Sequence, residues 1–108
     1  MKKYCMGIAV ALSLLATGAQ AGDAAAGAKK AEACAACHGA TGTSENPTFP
    51  NLAGQYEDYL RKALHDYKSG ARKNPIMAGM AAPLSDEDIA DLAAHFASQP
   101  GKLFVLKH

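Results

Sequence analysis

Cys34-Ala35-Ala36-Cys37-His38 is the stretch that decides how this chain is read. Residues three apart on a helix lie on nearly one face, so both thiols point the same way, with the His38 imidazole next in line. C-x-x-C-H is the spacing at which two cysteines take up the vinyl groups of a c-type haem and the histidine meets its iron. Two other chemistries use part of this pattern. A thioredoxin-like pair needs C-x-x-C with a depressed thiol pKa, usually beside a βαβ pattern, and no such pattern surrounds Cys34 and Cys37. A structural zinc site needs four donors, and no second cysteine pair or paired-histidine spacing completes one. Covalently attached haem is the expectation that remains.

Upstream of the motif, Asp23 to Cys37 is rich in alanine with Lys29, Lys30 and Glu32, a composition that favours helix. Asp23 suits the N-cap. Gly27 costs stability inside a helix, which predicts that another helix crosses closely there. Further back, Met1-Lys2-Lys3 is basic, Met6 to Ala16 is apolar apart from Ser13, and Thr17 to Ala21 supplies small residues. That order is a secretory signal peptide over 1–21, with cleavage after Ala21 and a functional domain over 22–108. The apolar run is about a dozen residues where a spanning helix needs roughly 20, so no stable membrane insertion is expected after cleavage. Cys5 leaves with the signal, and the domain is placed in the periplasm.

The processed domain would keep 9 of the 11 basic residues, once Lys2 and Lys3 are gone, against 10 acidic ones. No basic stripe with interleaved aromatics exists, which excludes nucleic acid as a partner. The 49% hydrophobic fraction leans on alanine, with three Phe and no Trp to build a core. A chain this small commonly needs a metal, disulfide or cofactor as a staple. A haem would supply the missing apolar plate.

Downstream, Gly39 to Gly54 is dense in turn residues, among them Pro47, Pro50 and Asn51, and is long enough to wrap something. Gln55 to Lys68 reads as helix, with Tyr56, Tyr59, Leu60, Ala63, Leu64 and Tyr67 at spacings of three and four on one apolar face. Gly70 ends it. Ala71 to Leu84 is a second irregular stretch carrying Pro75, Met77, Gly79, Met80 and Pro83. Ser85 then looks like an N-cap with Asp88 completing a capping-box variant, and Ile89, Leu92, Ala93 and Phe96 form the last apolar stripe up to Pro100-Gly101. The fold class is all-α, with three main helices and two irregular loops. For a second iron ligand the chain offers Met77, Met80, His65, His95 and His108. His65 and His108 are expected in solvent, and His95 at the core edge or surface.

The pieces ACAACHG (33–39), FPNLAGQ (49–55), Tyr59-Leu60, RKNPIMAGM (72–80) and LSDEDIADLAAHFASQ (84–99) occur in this order. Together they resemble the class I c-type cytochromes, both small bacterial periplasmic monohaem members and one half of the dihaem kind. The resemblance implies a cytochrome c fold around one haem c, bound covalently through Cys34 and Cys37. It implies His38 and Met77 as axial ligands of the iron, with Met80 as runner-up and otherwise a packing residue. His/Met ligation raises the reduction potential. It further implies that the Pro50 carbonyl, 12 residues beyond His38, holds its Nδ1, and that Leu52 packs on the haem. Gly27 and Ala31 would cross Leu92 and Phe96. Arg72, Lys73 and Asn74 stand as contacts either for haem propionates or for a docking protein.

The function so implied is outer-sphere transfer of single electrons, because no general acid, base or nucleophile constellation is present, and the chain is read as no enzyme by itself. Its partners would be larger redox proteins, such as a terminal oxidase, reductase, dehydrogenase or quinol-oxidising complex, docked transiently. The alternatives are a haem subunit fixed within a larger dehydrogenase or reductase, and a gas-binding haem sensor.

Overall fold

A computed structural model describes residues 22–101 continuously, together with Lys3, Gly7 and Ala9. The rest of the expected signal segment, and the tail with His108, lie outside the described residues. Five helices are present among the described residues, and no strand.

Helix α1, Ala24–Lys30, starts where Asp23 Oδ1 accepts the backbone N–H groups of Ala25 and Ala26 at 2.9 and 3.2 Å. This satisfies two of the donors that a helix start leaves open. Helix α2, Glu32–His38, follows after a single turn residue, Ala31. The sequence favours one continuous helix here, and the structure breaks it. Ala31 has ψ −11°, and its carbonyl accepts from Cys34 N, three residues on. That tighter turn separates α1 from α2.

Helix α3, Glu57–Ser69, ends at Gly70. Its expected apolar face splits. Leu60 is buried and Leu64 half-buried, whereas Tyr56 and Tyr59 stay 55% and 50% exposed. The second irregular stretch also differs from expectation, since Pro75–Ala81 forms a short helix, α4. Asn74 Oδ1 caps it by accepting from Ile76 N and Met77 N at 3.0 and 3.1 Å, and Pro75 sits at the first helical position where its missing N–H is harmless. Asn74 therefore caps a helix. Helix α5, Asp86–Ser98, opens on the expected capping box, with Ser85 Oγ accepting from Asp88 N and Asp88 Oδ2 accepting from Ser85 N.

Helix α1 crosses α5, and α3 packs on both α5 and α4. Ala31, Leu60, Leu92, Ala93 and Phe96 make the buried core, with Cys34, Leu52, Leu64, Leu84 and Ala97 half-buried against it. At the crossing, a Cβ on Gly27 would lie 2.0 Å from the Asp91 carbonyl oxygen. This is the close approach that the glycine announced.

An ion cluster ties the same crossing together. Lys30 Nζ lies 2.7 Å from Asp91 Oδ2 and 2.8 Å from Asp88 Oδ1, while Asp91 Oδ1 accepts from Asp23 N at 2.8 Å. The Lys30 ammonium, then the Asp23 amide, hold the Asp91 carboxyl below the usual carboxylate range. Lys30, then Ser85, lowers Asp88 to about 2. A folded-state pKa below the unfolded value means stability that is present above pH ~4 and lost as pH falls toward the folded value. Asp91→Asn is therefore expected to weaken the protein at pH 7 and much less at pH 2.5. Urea unfolding of both proteins at the two pH values checks this, and a pH-independent difference would refute it.

Candidate haem-binding site

Cys34, Cys37 and His38 all stand on α2. Both cysteines are half-buried. Burial, and then the neighbouring Cys37, pushes the Cys34 thiol up. A redox dithiol needs the opposite, a thiolate favoured by its surroundings, so the site is a poor thioredoxin-like centre. Among the described residues no group of three or more His, Cys, Asp or Glu side chains is placed to hold a metal ion by itself.

His38 is buried, and its Nδ1 lies 2.9 Å from the Pro50 carbonyl oxygen. A carbonyl can only accept, so Nδ1 carries the proton and Nε2 keeps its lone pair. The ring is thus held in the tautomer that a metal-ligating histidine requires. Phe49 approaches its edge, with ring centroids 6.4 Å apart at 61°.

The loop that presents Pro50 is tied at several points. Gly42 O accepts from Leu52 N and Ala53 N at 2.7 and 3.0 Å, and Gly54 N donates to Phe96 O at 3.0 Å. Asn51 Oδ1 accepts from Ser44 N at 2.7 Å, and Ser44 Oγ donates to Asn46 O at 2.8 Å and lies 3.4 Å from Cys37 O. Gly42 is buried with φ +83°, and a side chain there would strike Phe96 Cδ1 at 2.7 Å. Only glycine suits that position.

Met77 and Met80 both stand on α4, Met77 half-buried and Met80 41% exposed. Among the described helices α4 packs on α3 and makes no contact with α2. The helices bearing His38 and Met77 therefore do not pack on each other. The remaining sequence candidates fall elsewhere. His65 Nδ1 is 3.8 Å from Asp86 Oδ1 at the surface. His95 is buried beside Phe96, ring centroids 5.0 Å apart, and its Nε2 has no hydrogen-bond partner among the described residues. Arg72 lies 4.8 Å over the Tyr67 ring and donates to Tyr59 Oη at 3.3 Å. Sequence reasoning missed Ser44 and Asn51. The only signal for them was the density of turn residues between Gly39 and Gly54.

The donor set fits haem c. Two thiols one helical turn apart can take two thioether bonds, an imidazole offers Nε2, and half-buried Cys34 and Leu52 pack against one apolar core. Met77 and Met80 on α4 carry the soft thioethers of the set.

Comparison with known proteins agrees with this assignment. The family model described as Cytochrome c matches residues 24–100. Cytochrome c4 of Pseudomonas aeruginosa is 52% identical over 99 residues, covering 92% of this chain and 49% of that protein. Cytochrome c-554(548) of Halomonas halodenitrificans is 50% identical over 82 residues, covering 73% of this chain and 99% of that one. The crystal structure of reduced recombinant cytochrome c4 from Pseudomonas stutzeri superposes with a TM-score of 0.73 at 50% identity, covering 77% of this chain and 48% of that chain. The chain spans about half the length of the cytochrome c4 relatives it matches.

Proposed function

The chain belongs to the cytochrome c family, and on that footing we propose that it is a single-haem carrier passing one electron at a time between larger redox proteins in the periplasm. Cys34 and Cys37 would hold haem c through thioether bonds, with His38 Nε2 and Met77 Sδ offered to its iron. The observation that carries this reading is the His38 ring. It is buried on the same short helix as the two thiols, and the Pro50 carbonyl fixes it with its lone pair on Nε2.

Haem c bound there supplies a one-electron couple at its iron. The protein's own residues do the rest. Thioether bonds from α2 keep the cofactor attached to a domain with a small core. His38, held at Nδ1, keeps its orientation in both oxidation states, which limits reorganisation. Leu52, Leu60, Leu64, Leu92 and Phe96 keep water from the apolar side of the site. Met77 contributes a neutral thioether, which favours the reduced state and a higher potential. Among the described residues no acid–base or nucleophilic constellation stands beside these groups, so electron transfer, rather than bond-making catalysis, is what the site supports. Partners would dock through a small and transient interface, with charge setting orientation and rate. No described helix is long and apolar enough to cross a membrane, and export by the N-terminal signal segment is part of this proposal.

Visible spectra of the protein from a host that attaches c-type haem test it. The expected result is haem that resists acid–organic extraction, sharp low-spin ferrous bands, and no binding of carbon monoxide. A high-spin haem that binds carbon monoxide would replace the carrier with a gas-binding sensor. Stable copurification with one dehydrogenase or reductase would make the domain a fixed subunit.

A further inference from the structure

The Pro50 carbonyl that meets His38 sits on an exposed residue of an irregular loop, where backbone rotation is ordinarily free. The proline ring fixes φ of Pro50, but the direction of its carbonyl depends on ψ, which is set by where the next residue is held. That residue is Asn51. Its side chain accepts the Ser44 amide at 2.7 Å in a part-buried bond. Ser44 Oγ donates its proton to the Asn46 carbonyl at 2.8 Å and lies 3.4 Å from the carbonyl of Cys37, one residue before His38. A ring of contacts therefore runs from Cys37 through Ser44 and Asn51 to Pro50, and closes at His38 Nδ1.

We infer that Asn51 is a positioning residue for the iron ligand: its hold on Ser44 keeps the Pro50 carbonyl aimed at His38 and so sets the donor strength of that imidazole and the reduction potential. The inference rests on the reading that His38 ligates the haem iron. An N–H committed to an acceptor makes the opposite ring nitrogen a stronger donor, and a stronger donor favours the ferric state. Loosening the carbonyl shifts the balance toward the ferrous state. The leucine amide just beyond, bonded to Gly42 O, holds the chain two residues past the carbonyl, so the loop stays in place when Asn51 is changed. The loss is one of aim.

The test uses the holoprotein and reads two quantities that a merely structural residue would leave alone. In Asn51→Ala the His38 Nδ1–H proton of the ferrous protein is expected to exchange with solvent at least tenfold faster. The ferrous-to-ferric ratio at fixed applied potential is expected to rise about threefold, or roughly 28 mV for one electron. Asn51→Asp keeps an acceptor for the Ser44 amide, so its Nδ1–H exchange should stay slow even though the added charge moves the potential. Lower unfolding stability in Asn51→Ala with both readouts unchanged would overturn the inference, as would equally fast exchange in Asn51→Asp. Should Asn51→Ala not fold, Asn51→Leu, which fills the space without an acceptor, is expected to exchange fast while Asn51→Asp stays slow; slow exchange in Asn51→Leu or fast exchange in Asn51→Asp overturns the inference. His38→Ala separates the premise: a low-spin haem surviving that change means His38 is not the ligand, whatever Asn51 does.

Discussion

The holoprotein of Met77→Ala is expected to lose the weak ferric absorption of iron–Met bonding and to bind carbon monoxide in the ferrous state. Its reduction potential should fall by on the order of 0.1 V or more, well within the ~0.8 V that axial ligands span. Met80→Ala is expected to change none of the three. Both side chains stand on α4, three residues apart, so their chemistry is the same and only placement separates them. Met77 lies in the first turn, where Asn74 Oδ1 accepts its backbone N–H at 3.1 Å. That cap fixes the backbone at Met77 directly. Met77 is half-buried, and Met80 is 41% exposed. A ligand must give up solvent to reach iron, and Met77 has given up more of it than Met80. Loss of the ferric band in Met80→Ala, with Met77→Ala unaffected, would reverse the assignment.

The second large effect is on folding. Gly27→Ala is expected to destabilise the holoprotein by about 3 kcal/mol, at the upper end of overpacking costs. The added methyl carbon would lie 2.0 Å from the Asp91 carbonyl oxygen, 2.6 Å from its carbon and 2.8 Å from His95 Cβ. Two of those atoms are helix backbone and cannot rotate aside, so α1 and α5 must move apart. Alanine's better helix propensity returns at most ~1 kcal/mol, which does not offset the overlap. For a domain of this size the thermal midpoint should drop by roughly 10–20 °C, read by far-ultraviolet circular dichroism. Separation of the helices also pulls Lys30 from Asp91, so the variant should lose part of its acid sensitivity. A midpoint within a degree or two of the parent would mean that the crossing has slack.

How much of this was legible in the sequence depends on the range of the interaction. Asp23 and the Ser85–Asp88 box act within three residues, and their chemistry could be read directly. Gly27 signalled a close neighbour because nothing local favours glycine there. The family pieces placed Pro50 opposite His38, and the structure has that bond. Other features were hidden for physical reasons. The break at Ala31 falls in an alanine-rich run whose propensity is uniform, and only packing on α5 and the aim of α2 require it. Helix α4 was hidden by its proline and glycine, although Asn74-Pro75 is itself a cap followed by a tolerated first-turn proline. Tyr56 and Tyr59 shared spacing with Leu60 and Leu64, yet spacing does not say how wide the buried stripe is. Asn51 meets Ser44 seven residues away and Asp91 meets Asp23 sixty-eight away, distances at which a single sequence is silent.

The crossing of the first and last helices makes the chain a closed ring, fastened where Lys30 meets Asp91 61 residues later. Every group assigned to the site lies inside that ring. Closing a loop of this length costs about 4 kcal/mol in chain entropy beyond a fixed term, and contacts this remote form late. The thiol of Cys34 is half-covered by a core that includes Leu92 and Phe96 of α5. Docking of α5 therefore covers part of the Cys34 side chain. Helix α5 is thus the clasp of the molecule.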